Sequence, residues 1–211
     1  MSSPRSGRLT VVLVHVLLAA VIVAGFAVLG DGRDPSAAAR TVTLPDPDPR
    51  SPVLDTDLAI VRPPGTVVHD YTKKQTGESP KKVLQPQDFK AVDGRGAVYV
   101  KALITRDRGL NQSVWQIAIA DGHDPHAALL AMDDLYATAG FQRAPDAPKG
   151  LLVRVQPAFQ VPDLGTLTVF RAHYVHGPLL IRIEAYGPDR AATTRAFNEL
   201  AARQLDRWPP T

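Results

Sequence analysis

Residues 179–190, LLIRIEAYGPDR, decide the reading of the fold. Leu179, Ile181, Ile183 and Ala185 recur at a period of two, which places four apolar side chains on one face of a strand. Arg182 and Glu184 fall on the opposite face, which is then expected to be wet, as in an antiparallel sheet with one solvated side. Gly187, Pro188 and Asp189 break the alternation and open a helix. Ala196, Phe197, Leu200, Ala201, Leu205 and Trp208 form its apolar stripe, and Arg195, Glu199, Arg203 and Arg207 its outer face, with Glu199 and Arg203 at the favourable spacing of four.

Working toward the N-terminus, residues 166–174 pair with this strand as a hairpin turning at His176, Gly177 and Pro178. Residues 151–156, with Leu151, Val153 and Val155 aligned, are another core strand. Asp124 and Pro125 read as a helix N-cap with proline at the first helical position. Ala128, Met132, Leu135 and Ala139 give that helix its stripe and Gly140 ends it. Two further strands precede it, 97–105 with Val98, Val100, Ala102 and Ile104 on one face, and 113–120 with Trp115, Ile117 and Ile119 on one face. The order predicts an α+β fold, an antiparallel sheet with helices packed on one face. The two strand-to-helix units superpose at an offset of 64 residues, matching Ile117 with Ile181, Ile119 with Ile183, Ala127 with Ala191, Ala128 with Ala192 and Ala137 with Ala201. Internal duplication and a merely shared amphipathic pattern both account for this.

Before the domain the chain changes character. Residues 9–29, LTVVLVHVLLAAVIVAGFAVL, carry no formal charge and are long enough for one transmembrane helix across a hydrocarbon core of about 30 Å. Arg5 and Arg8 precede the run, whereas Asp31, Arg33 and Asp34 follow it, so residues 1–8 are expected in the cytoplasm and everything after Gly30 outside. A cleaved secretory signal is the competing reading, with small-residue sites at Val28, Leu29 and Gly30 or at Ala37, Ala38 and Ala39. Both readings export the rest. Residues 30–64, with Pro45, Pro47 and Pro49 alternating with Asp46 and Asp48, form a semi-rigid spacer. The domain is expected over 65–211, with a polar, lysine-bearing loop from Lys73 to Lys90.

Charge and composition narrow the function. The chain has 24 basic and 21 acidic side chains, and without Arg5 and Arg8 the balance is 22 to 21, which is no footprint for nucleic acid. There is no cysteine, so disulfides, thiolate metal sites, thiol catalysis and a lipoprotein anchor are excluded. No G-x-S-x-G elbow is present, and no cofactor fingerprint occurs. The densest polar cluster is Asp121, His123, Asp124 and His126, of which Asp121, His123 and His126 are candidate metal ligands, against the plainer reading of a solvated turn and cap. His173 and His176 are a second, looser pair. Asp133 and Asp134 read as a charged helix face.

The closing stretch from Gly177 through Gly187, Pro188 and Asp189 to the alanine-rich helix ending near Leu205 resembles the end of extracytoplasmic domains in membrane-anchored envelope proteins of actinobacteria, including sensor-type domains. The resemblance covers about the last 35 residues. It implies a cell-envelope location and assigns no catalytic residue. The expectation is therefore a single-pass membrane protein whose outer domain binds an envelope protein, lipid or wall component, using no cofactor. A metal-binding or hydrolytic domain at the Asp121, His123 and His126 turn is the alternative.

Overall fold

The computed structural model describes residues 58–145, 147–161 and 165–211. The expected membrane run at 9–29 and most of the expected spacer lie outside them. Among the described residues no helix is long and apolar enough to cross a membrane. The elements are β1 (Thr66–Asp70), α1 (Pro80–Val83), α2 (Pro86–Asp93), β2 (Ala97–Asp107), β3 (Leu110–Ile119), α3 (Pro125–Thr138), β4 (Gln142–Arg143), β5 (Leu152–Val161), β6 (Gly165–His176), β7 (Leu179–Gly187) and α4 (Arg190–Arg207). The seven strands form one antiparallel sheet in the order β1-β2-β3-β7-β6-β5-β4.

Local chemistry explains the joints. His176 pairs with Leu179 across a two-residue turn, in which Gly177 takes a φ of 55° that a side chain would resist. The Asp124 carboxylate accepts from the His126 amide at 2.9 Å and Asp189 accepts from Ala192 at 2.9 Å, so both expected N-caps form. Each such cap contributes about 1 kcal/mol. The stripe of α3 is rotated slightly from the expected one: Ala128, Leu129, Met132 and Tyr136 are buried, and Leu135 lies at its edge.

The sheet is covered on both faces, which corrects the expectation of helices on one. Ile181, Ile183 and Ala185 share a core with Val114, Val153, Phe170, Ala172 and Tyr174, beneath Phe197, Leu200 and Ala201 of α4. The alternate residues Leu180, Arg182 and Glu184 are buried too, because α2 and α3 lie across them: Arg182 reaches Asp88 of α2, and Tyr136 of α3 stacks on His173. Residues 73–90, expected as a loop, contain α1 and the start of α2, with Pro80 and Pro86 at the first helical positions. The 64-residue match does not become a repeat in space. Ile117 faces the α3 side and Ile181 the α4 side, each turned toward the helix that follows its own strand, and those helices lie on opposite faces.

Residues 58–64 belong to the packed unit, which spans Leu58–Thr211, so the expected boundary at 65 falls inside it. Gln204 holds this entry segment as a neighbouring strand would. Its carboxamide donates to the Ala59 carbonyl at 2.9 Å and accepts from the Val61 amide at 2.8 Å, while the Ala59 amide donates to Gln116 at 2.7 Å. The C-terminal tail is fixed likewise, with the Tyr174 hydroxyl donating to the Trp208 carbonyl at 2.8 Å and His176 to that of Pro209 at 2.7 Å.

Candidate functional site

Strand register lines up polar residues beneath α2 and α3. One cross-strand row runs Arg143, Arg154, Arg171, Glu184, Ser113, Ile104 and His69, from β4 to β1. The next runs Leu152, His173, Arg182, Trp115 and Ala102. Arg182 is 2% exposed and donates to Asp88 at 2.7 Å; the Tyr136 hydroxyl donates to the other oxygen of that carboxylate at 2.7 Å. The Arg182 guanidinium lies 4.2 Å from the centre of the Trp115 ring, a cation–π contact in a desolvated setting. Glu184 accepts from Ser113 at 3.0 Å and Trp115 at 3.2 Å, and its second oxygen sits 2.9 Å from Arg171 Nε and 3.4 Å from Arg182 Nε. Those last two contacts have ion-pair distance without hydrogen-bond alignment.

The electrostatics follow from this packing. Burial alone would raise the Glu184 carboxyl, and Arg182 and Arg171 outweigh it, so Glu184 is held below its ordinary range. Burial pushes the Tyr136 hydroxyl far up, so it stays a donor. His173 is fully buried, stacked 5.4 Å from Tyr136, and neither ring nitrogen has a hydrogen-bond partner. Burial first, then the charges of Arg182 and Arg171, hold its pKa well below the usual value, so it is neutral. Asp133 turns inward and takes Arg154 in a two-point pair at 2.8 and 2.7 Å, with Arg143 at 3.5 Å, where the sequence suggested a solvated helix face.

The residues singled out from sequence are placed differently. Asp121, His123 and His126 are exposed; Asp124 is occupied as the cap, with His126 Nδ1 3.6 Å from it. A side chain at Gly96 would run into the His123 ring, which is how that turn packs against the start of β2. The Ile119 amide donates to the Pro178 carbonyl at 3.0 Å, so the turn after β3 and the β6–β7 turn lie at the same end of the sheet. They still do not assemble a metal centre: among the described residues no group of three or more His, Asp or Glu side chains is arranged to hold an ion. His173 and His176 part company, one in the interlayer and one against Trp208 and Pro209.

Sequence reasoning missed Asp88, Tyr136, Arg171, Arg182 and Glu184 as a set. Their one signal was an Arg and a Glu alternating within a strand of otherwise apolar residues, which reads identically whether they meet water or a second layer. Comparison of the chain with known protein families, with curated proteins and with solved structures found no match.

Proposed function

We propose that the chain is a membrane-tethered, extracytoplasmic module of the bacterial cell envelope that acts by binding or assembly. The uncharged run at 9–29, the two arginines before it and the proline-alternating stretch after it support the address. The observation that carries the binding reading is the closed network of Asp88, Arg182, Glu184 and Tyr136, in which the charged groups most able to do chemistry are engaged with one another between two layers. With helices on both faces, the surfaces left for a protein, lipid or wall partner are the sheet edges and the outer faces of the helices.

The test is a C-terminally tagged full-length chain in its own cells. Protease added to intact protoplasts is expected to remove the tag, and crosslinking on the outer face to recover one envelope component in fixed ratio. A tag that survives until the cells are lysed rejects the address. Stoichiometric metal retained through dialysis, with nothing crosslinked, rejects the binding reading in favour of the histidine turn.

A further inference from the structure

Among the described residues, the charges between the sheet and the α2–α3 pair balance without His173. Asp88 answers Arg182, Glu184 answers Arg171 and Asp133 answers Arg154, at 2.7, 2.9 and 2.7 Å. His173 stands among them on β6, 0% exposed, directly opposite Arg182 on β7 and Leu152 on β5. Arg171 lies two residues along the same strand face, and Arg154 and Glu184 are diagonal neighbours. From above, α3 contributes Tyr136 and Asp133, and α2 contributes Asp88. Neither nitrogen of the His173 ring has a hydrogen-bond partner. A proton there would therefore be the one unanswered charge of the layer, a cation beside two arginines with a second N–H donor where these carboxylates are already engaged. Burial, with Arg182 and Arg171, keeps the ring neutral in the closed fold. The ring can take a proton only by reaching water.

The α2–α3 pair is the layer built to give way first. Charged groups hold it, and they regain hydration when it opens, whereas Phe197, Leu200 and Ala201 of α4 would lose their burial. The Tyr136 hydroxyl on Asp88 ties α3 to α2, so the two helices move together. Glycines in the left-handed region, Gly122 at φ 83° and Gly140 at φ 87°, lie on either side of α3 and supply its joints. We propose that α2 and α3 form an acid-released lid: a proton on His173 lifts them from the sheet while α4 stays packed. Release uncovers Ile117, Leu180 and Val175, an apolar cross-strand row that is buried in the closed form. The inference stands on the packing and does not depend on the envelope address.

Amide hydrogen exchange of the full-length chain in detergent, followed by mass spectrometry from about pH 7 to about pH 5 and divided by the intrinsic exchange rates, tests it. An open form whose histidine titrates near its ordinary value and a closed form that takes no proton give an opening that rises up to about 25-fold over this window. That rise is expected in α2 and α3, with α4 level. His173→Phe should abolish it. His69→Asn, which removes the other histidine whose proton affinity the fold lowers, should keep it, and this second variant decides the matter should the first not fold. A level α3 in the parent overturns the inference. A rise shared equally by α4 does the same, since that is global unfolding and not release of a lid. A rise undiminished in folded His173→Phe, or lost in His69→Asn, overturns it by placing the proton on another group.

Discussion

Along β7, Ile181, Ile183 and Ala185 pack under α4, and one residue over, Arg182 and Glu184 pack under α2 and α3. The first interface is assembled from side chains that lose nothing by leaving water, so each contributes on its own, roughly 1.5–3 kcal/mol for a large one. The second is assembled from charges whose desolvation is repaid only when every partner is in place. One strand thus serves two interfaces with opposite tolerance. The α4 face should absorb single losses in proportion to the atoms removed, whereas the α2–α3 face should fail as a unit.

Asp88→Ala is expected to have the largest effect. It strands Arg182 and takes the acceptor from Tyr136, and should cost about 3–5 kcal/mol in urea unfolding followed by Trp115 fluorescence. The double change Asp88→Leu with Arg182→Leu should recover most of that loss. A double variant as unstable as the single one would show that pairing is not what holds this face. Leu200→Ala on the other face, fully buried in the parent, should cost about 3 kcal/mol, unchanged by pH or salt. If its cost varied with either, the contrast between the faces would collapse.

The smallest expected effect is the pH dependence. Burial, with Arg182 and Arg171, holds His173 below its ordinary pKa, so between that lowered value and about 6.5 the unfolded chain binds a proton that the folded one does not. Stability should then fall as pH drops below about 6.5, by up to about 1.4 kcal/mol per pH unit. His69, lowered by partial burial and by Arg106, acts in the same window. Glu184, held low in the fold, adds a second loss that begins as the pH falls below the ordinary carboxylate range and is complete once it passes the depressed value. Unfolding curves of His173→Phe between pH 7 and 5 should be flatter than the parent's, and an undiminished slope would assign the acid sensitivity to other groups.

Much of the fold was legible in the sequence because local rules govern it. Asp124 and Asp189 cap the helices they were expected to cap, and the hairpin turns at Gly177 and Pro178. Residues 73–90 read as a loop because lysines and prolines dominate them and hide α1 and the start of α2, whose buried face amounts to Asp88 and Val92. Gln204 was passed over because a polar residue inside a helix stripe looks like a flaw until Ala59 and Val61 are seen to bind it. The polar row could not be read at all, because cross-strand register brings Arg154, Arg171 and Glu184 together from three separate strands.

The sequence by itself determined the alternation in each strand, the helix starts and the absence of cysteine chemistry, since these depend on neighbours along the chain. Only the tertiary structure decided what the second face of the sheet meets. A period of two states that Arg182 and Glu184 point away from Ile181 and Ile183, but whether water or a layer of helices waits there depends on which side of the sheet α2 and α3 cross. That choice is made by contacts between residues as far apart as Asp88 and Arg182, 94 positions along the chain.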